Sequence, residues 1–230
     1  MATYNIGSWA TVNDGGDTSG NGSLAVTCGN EFFGRRDRRG YARLTTGTSG
    51  NVATLDVVQE GLEEFVNLIA PSNNPDASGG SCVVTGTTNS SKLTFTITGA
   101  AAAAVTLPAN YTVQYGAVGN TQTLTIANGS AITGDPGTDN LLSFSITLTI
   151  AANTTPSART FSLVATPNSG TAATLAITQS AGLDYIKFDS ASGPTAKTVT
   201  FNSKGYINSE SSVDVLVFSN DNWSITTGTN

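Results

Sequence analysis

Residues 169–179 read SGTAATLAITQ, and 120 residues earlier residues 49–59 read SGNVATLDVVQ, with Ser, Gly, Ala, Thr, Leu and Gln repeated in place. An internal repeat of this period means that one structural unit is written more than once, and it limits the fold before any other feature does. Without a gap the same offset pairs Arg39 with Arg159, Tyr41 with Phe161, Leu44 with Val164, Leu55 with Leu175, Val57 with Ile177 and Gln59 with Gln179. Upstream it pairs Ser23 with Ser143, Val26 with Ile146 and Thr27 with Thr147. Downstream it sets Leu93, Phe95 and Ile97 against Val213, Val215 and Val217, and Val105 against Ile225. The junctions QEGL (59–62) and QSAGL (179–183) match with one inserted residue.

The repeat divides the 230 residues unequally. Residues 62–182 hold a complete unit, residues 1–61 correspond to its second half, and residues 183–230 to its first half. A half unit has bare strand edges and an uncovered apolar face. Three arrangements satisfy this: the halves join within one chain, the halves of different chains complete one another, or each half is a smaller independent fold. Completion between chains is heterologous and builds rings or filaments.

The units are made of strands. KLTFTIT, QTLTIA, SFSITLTI, RTFSLVAT, ATLAITQ, KTVTFN and SVDVLVF all alternate apolar and polar residues, as half-buried strands do. Between them lie NDGGDTSGNGS, APSNNPDASGG, TGDPGTDN and PNSG, which carry turn chemistry. The expected class is all-β, with short strands packed as tandem sandwiches. EEFVNLI (63–69) is the one segment that reads as a short helix, and GAAAAAV (99–105) reads as a loop or a packed strand.

Charge narrows the partners. Lys and Arg number 10 against 16 Asp and Glu, a net charge of -6, which speaks against general nucleic-acid binding. Five of the basic residues, Arg35, Arg36, Arg38, Arg39 and Arg43, fall in EFFGRRDRRGYAR, where Glu31 and Asp37 leave a local charge of +3. Arginine forks bind carboxylates bidentately and stack on rings such as Phe32, Phe33 and Tyr41. The central unit has AANTTPSAR at the same place, so the fold does not require the charge. These five arginines are the candidate protein interface, set against a solvated loop in which Asp37 bridges them.

No other constellation carries chemistry. The chain has no His, which excludes Ser–His and Cys–His dyads. The acids Glu31, Glu60, Glu63, Glu64 and Glu210 fall in turns or at unit edges and read as solvated surface groups. Asp14, Asp17, Asp135 and Asp139 offer oxygen ligands but not the spacing of a Ca²⁺ loop. The expectation is therefore a non-enzyme without metal or cofactor. Trp9 lies in an irregular stretch and is the candidate for glycan stacking, whereas Trp223 follows a turn and reads as core. Cys28 aligns with Leu148 and reads as a small buried hydrophobe, with no bridge to Cys82. No apolar run reaches membrane-spanning length, and MATYNIGSWATVNDGG lacks the basic start and apolar core of a signal peptide.

Arg followed by alternating apolars, a Gly turn, more alternation and a closing Gln occurs at Arg39–Gln59 and Arg159–Gln179, and SVDVLVFSNDNWSIT (212–226) carries Trp223 after an early strand. This pattern resembles the BACON domain, an immunoglobulin-like sandwich. The central unit departs from it, with Ala103 where Trp223 aligns and a longer chain. The resemblance implies one of two settings: a carbohydrate- or mucin-binding module of a surface or fibre protein, or a virion protein of crAss-like phages. The Met start without a signal sequence fits the second setting better. The expectation is an auxiliary protein on the capsid shell, made in the bacterial cytoplasm. Its partners would be the major capsid protein or other virion proteins, with self-association by domain completion and surface glycans as further partners. Nucleic acid and membrane are not expected.

Overall fold

The computed structural model describes residues 3–14 and 22–228. The chain is all-β. Sixteen strands among the described residues are β1 (Thr3–Ile6), β2 (Ala10–Asn13), β3 (Ala25–Cys28), β4 (Arg38–Thr45), β5 (Val52–Gln59), β6 (Val66–Ile69), β7 (Gly80–Thr88), β8 (Leu93–Thr98), β9 (Val105–Thr106), β10 (Asn110–Tyr115), β11 (Gln122–Ala127), β12 (Leu142–Ile150), β13 (Arg159–Pro167), β14 (Ala173–Gln179), β15 (Ile186–Phe188) and β16 (Val217–Ser219).

Strands β6–β14 form a β-sandwich. One sheet has the order β11-β10-β12-β7-β6, with β9 also on β12, and the other has the order β14-β13-β8. The alternation seen in the sequence is the packing pattern. In β12 every second residue, Leu142, Phe144, Ile146, Leu148 and Ile150, is buried. Phe161, Leu163 and Ala165 of β13 do the same from the opposite sheet. They meet around Phe95, whose ring lies 5.0 Å from Tyr111 and 5.5 Å from Phe144. Burying this set removes several aromatic and aliphatic side chains from water, each worth about 1.5–3 kcal/mol, and supplies the main folding force of the unit. EEFVNLI is not helical: Val66–Ile69 pairs with β7 as a strand. GAAAAAV turns through a single 3₁₀ turn, Ala102–Ala104, into β9.

The N-terminal residues build a smaller layer pair, the sheet β1-β2-β3 over the hairpin β4-β5. Its core is Ile6, Ala10 and Val12, covered by Trp9, Ala42, Leu55 and Val57. Here the repeat is kept on one strand and broken on its neighbour. In the sandwich Arg159 pairs with Gln179, whereas in the N-terminal hairpin Arg38, not Arg39, pairs with Gln59. A one-residue slip turns a strand over. Gly40 and Ala42 face the core and Tyr41 is 65% exposed, although its repeat partner Phe161 is 1% exposed.

The C-terminal residues carry little regular structure. SVDVLVF contributes only Val217 and Phe218 to β16, which pairs with β15, and KTVTFN forms no strand. Leu183, Val213, Leu216, Phe218, Trp223 and Ile225 are all exposed. Trp223, expected in a core, is half exposed at 50%. Cys28, expected to be buried, is exposed, because β3 has no strand on its outer side among the described residues. No helix among the described residues is long and apolar enough to cross a membrane.

Candidate functional site

The densest polar structure in the molecule lies where the N-terminal layers meet the sandwich. Its centre is Asn89, fully buried in the turn after β7. Asn89 Nδ2 donates to the Phe33 carbonyl at 3.0 Å and to the Glu63 carbonyl at 3.0 Å, while its Oδ1 accepts from Phe65 N–H at 2.9 Å. One side chain thus ties together the incoming linker, the first strand of the sandwich and the loop before β4. Thr88 Oγ1 bonds the Phe65 carbonyl, and Leu62 N–H donates to the Gly34 carbonyl at 2.9 Å. The loop 137–138 closes from the far side, with Arg35 N–H donating to the Gly137 carbonyl at 3.2 Å. Only glycine fits at 137, since a Cβ there would lie 2.1 Å from the Asn89 carbonyl oxygen.

Two of the five candidate arginines lock this joint. Arg35 Nε donates to the Asn89 carbonyl at 2.9 Å, Nη1 lies 3.3 Å from Glu64 Oε1, and Nη2 binds Asp135 and Thr138. Arg36 forms a bidentate pair with Asp139, Nε donating to Oδ1 at 3.1 Å and Nη2 to Oδ2 at 2.7 Å. The acidic surface these arginines meet is therefore the TGDPGTDN loop of the neighbouring unit. Arg38 lies over the Phe32 ring, 3.8 Å from its centroid, and Arg39 pairs with Asp37 at 2.9 Å. Arg39, Tyr41 and Arg43 share the outward face of β4 that the register slip exposes.

Glu64 is not the solvated acid expected from sequence. It is 9% exposed, and Ser91 N–H, Ser91 Oγ, Ser169 N–H and Ser169 Oγ lie within 2.6–3.1 Å of its carboxylate. Burial pushes its pKa up, but the bonds from Ser91 and Ser169 outweigh that and hold the carboxyl below the ordinary glutamate value. Ser169 is 105 residues away, which is why no local reading of EEFVNLI could find the contact. Asp37 is also held low, by the Gly61 N–H and then by Arg39.

The joint occurs twice. Asn220 Nδ2 donates to the Thr154 and Leu183 carbonyls, both at 2.9 Å, and its Oδ1 accepts from Tyr185 N–H at 3.0 Å. Ser219 Oγ donates to the Tyr185 carbonyl at 3.0 Å, the counterpart of the Thr88 Oγ1 bond to Phe65, and Gly182 N–H donates to the Thr155 carbonyl at 2.7 Å. Val66 pairs with Thr88 and Ile186 with Ser219. Bond for bond, Phe33, Gly34, Leu62, Glu63, Phe65, Thr88 and Asn89 recur as Thr154, Thr155, Gly182, Leu183, Tyr185, Ser219 and Asn220. This corrects the sequence alignment in three places. Phe33 and Gly34 fall opposite Thr154 and Thr155, one residue beyond the 120-residue offset. Leu62 corresponds to Gly182 without an inserted residue, and β16 corresponds to the end of β7 rather than to β8. The second joint has Pro156 and Ser157 where the first has Arg35 and Arg36, so it lacks the ionic lock.

Trp9 is half-buried, and its indole lines a shallow cleft of about 280 Å³ with Asn5, Ser8, Thr11 and Asn30. Asp135 and Asp139 are paired to arginine, Asp14 has a partner of its own, and Asp17 lies outside the described residues. Among the described residues no group of three or more His, Cys, Asp or Glu side chains is placed to hold a metal ion.

Comparison with known proteins adds no assignment: no family model and no curated protein matches the chain.

Proposed function

We propose that this chain is a structural protein, a tandem array of immunoglobulin-like sandwiches of the BACON-like kind that serves a tailed-phage virion as an auxiliary protein on the capsid shell. The observation that carries the structural part is the joint repeated at Asn89 and Asn220. A device that fixes the geometry of one unit against the next, and is used twice, suits a protein whose task is to hold positions. The resemblance of Arg39–Gln59 and Arg159–Gln179 to BACON-like units supplies the virion setting. The two face-to-face antiparallel sheets of residues 66–179 support the immunoglobulin-like reading.

Arg35 and Arg36 are engaged in the joint between units, so docking onto an acidic capsid surface falls to the outward face of β4, where Arg43 and Tyr41 lie beside Arg39, itself paired with the exposed Asp37. Purified chain mixed with capsid shells and sedimented tests both parts. Wild-type chain is expected to co-sediment, less so at high salt, and Arg39→Ala with Arg43→Ala to weaken binding about tenfold or more. Shells that do not carry the wild-type chain down sink the virion assignment, and unchanged binding of the double variant sinks the docking face.

The Trp9 cleft favours a second reading, glycan binding, because an aromatic ring beside Asn and Ser side chains is suited to a sugar. A glycan array probed with wild type and Trp9→Ala decides it: signal lost with the indole supports this reading, and no signal removes it.

A further inference from the structure

In the sandwich, the strands of the first half close the edges of the second. β7 lies along β12, with Cys82 facing Leu148, Val84 facing Ile146 and Gly86 facing Phe144, and β8 lies along β13. The N-terminal unit holds the counterparts of the second half, β3 for β12 and β4 for β13. Both edges are bare: among the described strands β3 pairs only with β2, and β4 only with β5. Bare edges recruit strands.

The strands that would close them are written at the other end of the chain. The joint equivalence of Thr88 with Ser219 sets Cys82, Val84 and Gly86 against Val213, Val215 and Val217. These three valines alternate with Asp214, Leu216 and Phe218, as an edge-covering strand requires. On the receiving strand, Val26 and Cys28 sit opposite the buried Val12 and Ala10 and so face the core side. The repeat equates them with Ile146 and Leu148. Superposing the two units brings Val213 to Cys28 and Val215 to Val26, an apolar stripe against an apolar stripe. By the same equivalence the residues from Ser224 to Gly228 correspond to β8 and would cover β4.

One chain does not bring these parts together. The first joint lies where β7 ends and β12 begins, at Asn89 and Asp139, and the second where β12 has ended, at Asn153 and Thr154. The nine residues of β12 put roughly 30 Å between them. Among the described residues the strands of 1–61 pair only with one another, and β15 only with β16. We infer that residues 212–228 of one copy close the β3 and β4 edges of a second copy, head to tail. The contact is heterologous, so each addition leaves a free edge and a free donor, and the assembly grows as a filament or ring. This rests on the repeat and the strand edges, not on the virion setting.

Cys28 makes the register testable. It is exposed, Cys82 is buried, and neither is bridged. Facing residues across an antiparallel pair are about 4.5–5.5 Å apart, within the range of about 4.4–6.8 Å that a disulfide spans. Full-length Val213→Cys is oxidised and run on a denaturing gel without reductant. A ladder of dimers, trimers and longer species that collapses on reduction is expected, since growth past a dimer needs two different thiols per chain. Asp214→Cys, one residue away and on the other face, is expected to give at least tenfold less. Monomer alone, an internally bridged monomer, dimers without longer species, or equal ladders from both variants overturn the inference. Sedimentation of the unmodified chain gives a second reading. Its mean mass is expected to rise with concentration, and Val215→Lys to return it to monomer. A wild-type mass that stays at one chain assigns the β3 and β4 edges to another occupant and overturns it as well.

Discussion

Glu64 shows how a single residue's environment sets a pH response. Burial raises its pKa, but the hydrogen bonds it accepts from Ser91 and Ser169 outweigh that, so the pKa is lower folded than unfolded. A depressed folded pKa contributes stability that is complete above the unfolded value, about 4.3, and is lost as pH falls through the folded value. Asp37 adds a response of the same sign. Wild-type chain should therefore lose stability steeply below about pH 4.3, whereas Glu64→Gln should be less stable at neutral pH by about 1–3 kcal/mol and flatter in acid. Urea unfolding across pH 2–7 checks this, and parallel curves for the two chains would count against it. Little of this was readable beforehand. The acid itself is plain in EEFVNLI, but its bonding partners come from three separate stretches of chain. The chemistry of Arg35 marks it as a carboxylate binder, yet that its partners are Glu64 and Asp135 of its own chain was not readable, because spacing along the chain does not reveal which loops meet.

Strands were the most legible elements, and their limits are physical. Alternation in SFSITLTI and RTFSLVAT corresponds to β12 and β13 because each finds neighbours on both edges. The same alternation in SVDVLVF yields strand only at Val217 and Phe218, because a strand without a neighbour leaves its backbone groups unpaired. Alternation also leaves open which face turns inward. In β13 the inward residues are Phe161, Leu163 and Ala165; the same face of β4 would carry Tyr41, Arg43 and Thr45. Burying Arg43 without a partner is costly, so β4 turns over and presents Gly40 and Ala42. The turn has two consequences. Gln59 Oε1 has no protein partner, whereas Gln179 Oε1 accepts from Arg159 Nε at 2.8 Å. And Gly40 becomes a packing residue, since a Cβ there would lie 2.0 Å from Ile6 Cγ2. Gly40→Val should cost about 1–3 kcal/mol by overpacking, although valine is the better strand former. Denaturant unfolding that finds the variant equal to or more stable than wild type would refute the flipped register.

At the scale of the whole molecule, stability in a tandem array is a sum of unit terms and nearest-neighbour joint terms. The 120-residue period was visible in the sequence and relates Phe65 to Tyr185 in the two joints. The asparagines were not visible as a pair, because the segment before Asn220 is eleven residues longer than that before Asn89, which shifts them out of the repeat. The two joints differ in what they couple. Asn89 is fully buried between two folded layers and is reinforced by Arg35 and Arg36; Asn220 is half-buried, has no such reinforcement, and ties β15, β16 and their loops to Thr154 in the loop between β12 and β13. Removing a buried amide leaves the carbonyls it served without donors, at about 1–3 kcal/mol each site. Asn89→Ala should therefore raise hydrogen exchange on both sides of its joint, in 30–65 and in 85–92. Asn220→Ala should raise it in 183–221 and in the 151–158 loop that holds Thr154, by a smaller factor, and leave strands β10–β14 protected. Exchange measured peptide by peptide separates the cases. If Asn220→Ala loosens the sandwich as much as its own segment, the joints are not independent fastenings and the additive picture fails; if Asn89→Ala changes neither side, the asparagine is not what holds the units together.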